Sequence, residues 1–338
     1  MILILSQEWN ERSTEDVMDW LEHLGQPSLR VNGADFEGKV ALSFQVSRAE
    51  IDTNLGFSES QLAIDQVKSV WFRRWEYEPR SETVDLFASK LGDNKQAELR
   101  LKHYLRLERQ RLSDFFFSLL AEAAWLGSPS NRRQNKLVAL SEAAKAGLDI
   151  PATLVTTYRD ELLNFAARFE SLITKPISDA EAFDLGDRIY STLTIGLDNV
   201  TLEDLPPRFA PSLFQERLAK DYEIRVFFLR GECFSMAIFS QFDPQTQIDF
   251  RHYNWKRPNR CVPYKFPEEF GEAIKRLMNS LKLETGSLDF VKTADGRTVF
   301  LEVNPVGQFG MVSKPCNYYL EFRMAETLIE KVQNGTNG

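Results

Sequence analysis

Residues 288–305 read LDFVKTADGRTVFLEVNP, two apolar stretches joined by a turn at Asp295–Gly296. An Asp-Gly pair between alternating segments predicts a β-hairpin with a two-residue turn. That register places Asp289 directly opposite Glu302. The other pairs it predicts are Ala294 with Arg297, Ser287 with Asn304, Leu288 with Val303, and Phe290 with Leu301. The hairpin therefore has one apolar face for a core and one face with two carboxylates and an amide.

Two carboxylates that face each other across a hairpin destabilise it, because their Cβ atoms lie only about 5 Å apart. Such a pair invites a cation, and hard oxygen ligands suit Mg²⁺, which takes few protein carboxylates and completes its shell with water and phosphate. The hairpin alone leaves another interpretation open, a solvent-facing strand whose two acids meet by chance. A longer turn would shift the register and move one acid to the other face.

The composition is that of an ordinary globular protein. The chain has 338 residues, of which 43% are hydrophobic and 27% are charged, enough for one large domain or two to three smaller ones. A net charge of −8 argues against nucleic-acid binding. No apolar run approaches the roughly 20 residues of a membrane span. Three widely spaced cysteines and three isolated histidines fit no disulfide framework or zinc motif, so we expect a cytoplasmic protein.

The pattern along the chain predicts an α/β protein of several parts. MILILS, STEDVMDWLEHLG and SLRVNG at the start read as strand, helix and strand. The proline-free segment from about Leu86 to Leu126 has the periodicity of a long helix or helical pair, ended by Gly127. Residues 128–131 read as a boundary, and long β-rich stretches follow Pro206–Pro207.

Several stretches in this order resemble the ATP-grasp ligase superfamily across essentially the whole chain. They are NKL with IPATLVT, TKP, LFQERL, DYEIRVFFL, SLDF and FLEVNP. The stretch EVNPVGQFGMVS is similar to the graspetide synthetases, peptide maturases of the microviridin and grasp-with-spasm type. The resemblance implies an α/β (α+β) ATP-grasp fold. Its parts would be a pre-ATP-grasp domain with a long helical segment (1–128), a central lobe (129–212), a C-terminal antiparallel-sheet lobe (213–333) and a disordered tail (334–338).

The resemblance also implies ATP and Mg²⁺ as cofactors. Asp289, Glu302 and Asn304 match the Mg²⁺ ligands of the family. Lys136 and Lys175 match the two lysines that reach the nucleotide phosphates, a role that suits the compact charge of an ammonium group. Each lysine considered alone would be read as an ordinary surface residue.

Two further stretches match the nucleotide site. LFQERL resembles the linker between the lobes, where backbone groups pair with the adenine edge, and we select Gln215, Glu216 and Leu218 there. Leu213 and Leu218 could equally be core residues. Arg225 in YEIRVFF matches the arginine that approaches the transferred phosphate, because a planar guanidinium can hold two oxygens. The alternative for Arg225 is a charge on a half-exposed strand.

The implied enzyme is an ADP-forming ligase that acts on a ribosomal precursor peptide with a leader and an acidic core. An Asp or Glu side chain would become an acylphosphate, and a Ser or Thr hydroxyl or a Lys amine would then close a macrolactone or macrolactam. Arg225 and Arg251 are the catalytic candidates, with Arg251 as a substrate contact. Arg257 and Arg260 lie in the same stretch as Arg251.

Other interpretations stay open. The chain could be an ATP-grasp ligase that adds an amino acid to a peptide or protein terminus, or a degenerate ATP-grasp protein that only binds nucleotide or peptide. Arg73 and Arg74 match a family stretch, but could equally be cations stacked beside Trp71 and Trp75. The family implies a homodimer, and the helix around 95–120 could form its surface or pack within one chain. No nucleic-acid or membrane partner is expected.

Overall fold

The computed structural model describes residues 1–9, 11–37, 39–48, 51–57, 60–77, 81–90, 92, 94–131, 134–178, 181–184, 188–197, 201–243, 254 and 256–335. The chain forms two compact units. The first unit is Met1–Arg132 with Tyr319–Gly338, and the second is Arg133–Tyr318. The first unit thus contains both ends of the chain, whereas the sequence-based division placed residues 319–333 in the C-terminal lobe.

The first unit is built around a parallel sheet. Its strands are β1 (Ile2–Ser6), β2 (Ser28–Asn32), β3 (Ala41–Val46), β4 (Ile51–Phe57), β5 (Ser60–Gln61), β6 (Ser69–Phe72) and β7 (Ala124–Leu126). Its first helices are α1 (Arg12–His23), α2 (Ser81–Ala88) and α3 (Lys95–Leu119). The parallel sheet has the order β2-β1-β6-β7, and β3, β4 and β5 form a separate antiparallel sheet. Every residue of β1 is buried, which is typical of a parallel strand covered on both faces.

The long helix predicted from the periodicity exists but is shorter than expected. Helix α3 ends at Leu119, and Ala124–Leu126 form β7 instead of a last helical turn. Strand β7 pairs in parallel with β6, so pairing at the sheet edge overrides the helical pattern of this segment. Gly127 follows with φ +80, and a Cβ there would lie 2.7 Å from the Phe72 carbonyl oxygen.

A buried ion cluster lies beyond the ends of β1 and β6. The Glu11 side chain is 0% exposed and contacts both Arg73 and Arg74. The Nε atom of Arg73 lies 3.1 Å from Oε2 of Glu11, and Nη2 of Arg73 donates to the Ser13 hydroxyl at 2.9 Å. The Arg73 guanidinium also lies 5.8 Å from the Trp71 ring centroid. Both arginines are therefore committed to packing and charge pairing inside this unit, and burial lowers the pKa of Arg73 to about 10.

The second unit contains two antiparallel sheets and a small hairpin. Its strands are β8 (Thr153–Tyr158), β9 (Leu172–Lys175), β10 (Ala182–Asp184), β11 (Ile189–Ser191), β12 (Ile195–Gly196), β13 (Arg208–Glu216), β14 (Lys220–Leu229), β15 (Glu232–Phe239), β16 (Arg260–Tyr264), β17 (Thr285–Thr293) and β18 (Thr298–Asn304). Its helices are α4 (Lys136–Lys145), α5 (Arg159–Ala166), α6 (Glu268–Ser280) and α7 (Gly310–Cys316). The sheet orders are β12-β9-β13-β8 and β16-β15-β14-β17-β18, with β10 and β11 as the hairpin.

Helices α4 and α6 cover one face of the five-stranded sheet. Apolar residues recur along α6 at helical spacing, and Glu268 and Glu269 in its first turn suit the positive end of the helix dipole. These helices pack on alternate residues of β14, namely Ile224, Val226 and Phe228. Because the side chains of a strand alternate, Glu223, Arg225 and Phe227 point to the opposite face. Packing of the core on one face of the sheet therefore leaves the opposite face, which carries Glu223 and Arg225, for a functional site.

The last helix, α8 (Leu320–Gly335), belongs to the first unit, where it packs against α1 and the parallel sheet. None of the helices in the described part of the chain is both long and apolar enough to span a bilayer. The mixed α/β architecture predicted from the sequence is confirmed, with a parallel sheet in the N-terminal part and antiparallel sheets after it.

Cys233, Cys261 and Cys316 are free thiols, and burial raises the pKa of Cys233 to about 11. At pH 8, Cys233 should therefore react with iodoacetamide about 100-fold more slowly than a thiol with a pKa near 9, because the thiolate is the nucleophile. The rate should rise about tenfold from pH 8 to pH 9 and reach that of a free thiol in urea. Peptide mass spectrometry measures this, and fast labelling of Cys233 in the folded protein at pH 8 would contradict it.

Candidate active site

The hairpin of β17 and β18 brings the predicted acids together. Asp289 is directly opposite Glu302, Ser287 is opposite Asn304, and Leu288 is opposite Val303, as the sequence predicts. The register of these three pairs is confirmed.

The turn of this hairpin differs from the prediction. Thr293 pairs with Arg297 through a backbone hydrogen bond of 3.0 Å, so the turn has three residues, and Gly296 adopts φ +91. The predicted pair of Ala294 and Arg297 is therefore wrong. Phe290 pairs with Phe300, so the predicted pair of Phe290 and Leu301 is also wrong. A bulge at Leu301 adds one residue to β18 and cancels the shift made by the longer turn.

Strand β14 adds a cation beside the acid pair. Arg225 is directly opposite Asp289 in the β14–β17 ladder. Its Nη1 atom lies 3.1 Å from Oδ1 and 3.2 Å from Oδ2 of Asp289. Only 8% of the Arg225 side chain and 15% of the Asp289 side chain are exposed, so this ion pair is largely removed from water.

A cavity of about 310 Å³ opens on this face of the sheet, within the second unit. Its lining includes seven of the residues selected from the sequence, Lys175, Gln215, Glu216, Leu218, Arg225, Asp289 and Glu302. Residues 217–219, which connect β13 to β14, form one wall. The volume is in the range of small-molecule sites, and the lining combines apolar surface with convergent charges. The geometry therefore suits a phosphorylated ligand with an apolar ring.

The connection between β13 and β14 is held on both sides. The Gln215 amide donates to the Thr153 hydroxyl at 2.8 Å, and Glu216 Oε1 accepts from the Ala152 amide at 3.0 Å. On the other side, the hairpin turn supports the connection, because the Ala294 amide donates to the Ala219 carbonyl at 2.9 Å. The side chains of Gln215 and Glu216 are thus bound to β8 and to the residue that precedes it. We therefore expect the backbone of the β13–β14 connection to supply the hydrogen bonds to a ligand.

The two predicted lysines occupy different positions. Lys175 ends β9 and lines the cavity. Lys136 is the first residue of α4, which begins there because the Asn135 side chain accepts from the Leu137 and Val138 amides. The Lys136 ammonium donates to the Pro176 carbonyl at 3.1 Å and to the Ser178 carbonyl at 2.6 Å. Lys136 thus holds the segment that follows Lys175 and does not line the cavity.

Asn304 also lies outside the cavity lining. It is exposed, and its Oδ1 accepts from the Val306 amide at 3.1 Å and the Gly307 amide at 3.3 Å. This is an Asx-type turn, which folds the chain back over Ser287. Gly307 has φ +50, and a Cβ there would lie 2.7 Å from the Ser287 amide nitrogen. Position 307 is therefore occupied by glycine, because any side chain there would clash with the backbone of Ser287.

Asp289 and Glu302 supply two of the ligands that a divalent cation would need. Within the described ranges, no group of three or more His, Cys, Asp or Glu side chains converges as a metal site. Asp289 and Glu302 supply two hard oxygen donors in the cavity, which is the small number of protein ligands that Mg²⁺ uses beside phosphate and water. The residues present therefore fit Mg²⁺ through these two carboxylates, and Asn304 stays a predicted ligand.

A second polar group in the cavity was missed by the sequence analysis. Lys220 Nζ lies 2.6 Å from Glu223 Oε1, and the Ser240 hydroxyl donates to the other oxygen of Glu223. Lys220, Glu223 and Gln241 line the cavity. Residues three apart in a regular strand point to opposite faces, but an irregularity at Asp221 shifts the register between Lys220 and Tyr222. No pattern in the sequence indicates that irregularity.

The remaining candidates from the sequence are Arg251, Arg257 and Arg260. Arg251 lies outside the residues that the structure describes. Arg257 and Arg260 are exposed, and Arg260 stacks 5.5 Å from the Phe239 ring centroid. Neither arginine lines the cavity, so their link to substrate stays a prediction.

Comparison with known proteins extends this picture. Residues 1–128 match the family model described as the MvdD pre-ATP grasp domain. No curated protein matches the chain. Among solved structures, the chain is similar to a Chryseobacterium gregarium RiPP-associated ATP-grasp ligase in complex with ADP and a leader and core peptide. The TM-score is 0.83 at 22% identity, over 98% of this chain and 96% of that one.

Two further structures have the same fold. One is the macrocyclase MdnC from Microcystis aeruginosa bound with the precursor peptide MdnA, with a TM-score of 0.78, 24% identity and coverage of 97% and 99%. The other is the ATP-grasp ligase PsnB in complex with a phosphomimetic variant of its minimal precursor, Mg and ADP, with a TM-score of 0.72, 21% identity and coverage of 98% of both chains. The resemblance stated from the sequence is confirmed: residues 1–128 match the MvdD pre-ATP grasp domain, and the chain has the fold of ATP-grasp ligases.

Proposed function

We propose that this protein is an ATP-dependent peptide macrocyclase, an ADP-forming ligase that joins Asp or Glu side chains of a precursor peptide to Ser or Thr hydroxyls or Lys amines. One observation carries the proposal. A single cavity contains the β13–β14 connection, Lys175, Arg225 and the opposed acids Asp289 and Glu302. Cations and metal-binding carboxylates beside one cavity suit the positioning and charge neutralisation that a nucleoside triphosphate requires.

The proposed reaction has two steps. A substrate carboxylate attacks the γ-phosphorus of ATP, which forms an acylphosphate and releases ADP. A hydroxyl or amine then attacks the acyl carbon, loses its proton, and inorganic phosphate leaves. Each ring removes one water from the peptide in total.

The protein residues act mainly by charge and position. Lys175 and Arg225 line the cavity and would compensate the negative charge of the phosphates when these leave water. Asp289 and Glu302 would hold Mg²⁺, with Asn304 as a further proposed ligand, and the ion supplies neutralisation of phosphate charge when bound. The connection at residues 217–219 would bind the base. Arg251 remains the proposed contact to the acidic core.

The substrate assignment is supported by what the similar structures contain. The C. gregarium ligase holds ADP with a leader and core peptide, and MdnC holds its precursor peptide. By extension, we propose a leader-bearing precursor, a cytoplasmic location and a homodimer for this protein. The dimer surface would include α3, where Leu99 and Tyr104 are 67% and 57% exposed.

The test uses the full chain with Mg·ATP, the small precursor peptide encoded beside its gene, and a mixture of the free amino acids that a terminal ligase would need. We expect the peptide to become lighter by one water for each ring, with one ADP and one phosphate released per ring. A peptide that gains the mass of an amino acid would instead support a terminal ligase. Unchanged mass with the genuine precursor would overturn the macrocyclase proposal, and ADP binding without turnover would favour a degenerate binding protein.

A further inference from the structure

The contact between Arg225 and Asp289 is unusual for a buried arginine. One nitrogen, Nη1, is shared between both carboxylate oxygens at 3.1 and 3.2 Å. The Nε atom of Arg225 is buried and has no hydrogen-bond partner. A guanidinium carries five N–H donors and pairs best with a carboxylate through two parallel bonds. The geometry therefore leaves a buried donor of Arg225 unused beside the cavity.

Three charged side chains stand in a row across the sheet. Arg225 on β14 is opposite Asp289 on β17, and Asp289 is opposite Glu302 on β18. Two opposed carboxylates destabilise a ladder, and low exposure strengthens their repulsion. The arginine offsets this repulsion from the side of Asp289 that faces away from Glu302. In this structure Arg225 thus supplies charge compensation that a divalent cation between the acids would also supply.

We propose that Arg225 serves two partners in turn: it holds Asp289 when no metal is present, and releases Asp289 to contact a nucleotide phosphate when metal and nucleotide enter together. This inference rests on the proposed function, since that function names both ligands. A free metal ion must compete with the guanidinium for Asp289. A nucleotide supplies phosphate oxygens that the guanidinium can hold bidentately, which removes the competition. Metal and nucleotide should therefore strengthen each other's binding by the same factor.

The experiment measures Mn²⁺ binding to the full chain by electron paramagnetic resonance, with and without ADP. In the wild type, ADP should strengthen Mn²⁺ binding at least about 10-fold. Arg225→Met removes the competing charge, so it should bind Mn²⁺ alone at least about 5-fold more tightly than the wild type. Its gain in Mn²⁺ affinity on addition of ADP should be smaller than that of the wild type, because only the direct contacts between the ion and the phosphates then couple the two ligands. Arg225→Lys keeps a cation and should bind Mn²⁺ alone as weakly as the wild type.

Two controls make the outcomes distinct. Lys275→Met removes one positive charge from the exposed surface of α6 and should leave Mn²⁺ binding within about twofold of the wild type. Thermal unfolding of Arg225→Met should occur at a lower temperature without metal and recover on addition of Mn²⁺, because the ion replaces the lost compensation. If Arg225→Met binds Mn²⁺ alone no more tightly than Lys275→Met, the inference is wrong while the proposed function stands. If neither the wild type nor Arg225→Met binds Mn²⁺ even with ADP, the metal assignment in the proposed function fails, and the inference with it.

Discussion

Glu302→Gln should lower the rate of ring formation at least about 100-fold while the protein remains folded. The substitution keeps the size and shape of the side chain but removes a charged oxygen donor from the cavity wall. Loss of one group that stabilises charge in an active site typically costs two to three orders of magnitude in turnover. The measurement is the initial rate of water loss from the precursor peptide, followed by mass spectrometry at saturating Mg·ATP.

The stability of this variant separates a catalytic from a structural role. Because Glu302 faces Asp289, loss of its charge relieves repulsion, so the melting temperature should stay equal or rise. The matched control is Glu232→Gln, which makes the same change at an exposed position of the same sheet outside the cavity. That control should retain wild-type turnover. Full activity of Glu302→Gln would contradict the metal assignment, and a large fall in its melting temperature would point to a structural role.

The hairpin shows how a correct prediction can rest on a wrong detail. The prediction that Asp289 faces Glu302 is based on a two-residue turn at Asp295–Gly296. The turn has three residues, and the register is restored only by the bulge at Leu301. The acid pair was predictable because one face of the hairpin must pack against α4 and α6, and burial of Leu288 and Val303 fixes which residues lie on the other face.

Other parts of the site could not be predicted, because they depend on local backbone irregularities or on distant segments. The pairing of Lys220 with Glu223 requires the irregularity at Asp221, which no residue pattern announces. Lys136 holds the carbonyl of Pro176, a contact between residues 40 positions apart. The family resemblance predicts that Lys136, Lys175 and Arg225 contact phosphate. It gives no information on which of these cations is paired with another group of the protein, as Lys136 and Arg225 are.

Glu11→Gln should destabilise the first unit by about 3–5 kcal/mol, the cost of removing one partner from a buried charge pair. Glu11 and Arg73 are both essentially unexposed, and Arg74 contacts the same carboxylate. Burial already lowers the pKa of Arg73 to about 10, which shows that its environment disfavours the charged form. At neutral pH the arginine stays protonated, so loss of the Glu11 charge leaves a buried cation without compensation. Urea unfolding followed by tryptophan fluorescence measures the change, since five of the six tryptophans lie in residues 1–132.

The size of this effect should depend on burial and not on charge alone. Glu15→Gln removes the same charge four residues along, where the side chain is 56% exposed and lies 3.7 Å from Arg30, and should cost no more than about 0.5 kcal/mol. Glu11→Met with Arg73→Met removes both partners of the buried pair, so it should destabilise less than Glu11→Gln alone, because fewer buried charges remain unpaired. If Glu11→Gln costs as little as Glu15→Gln, the cluster contributes nothing through its charges. Arg73 and Arg74 would then be available for a role other than holding this unit together.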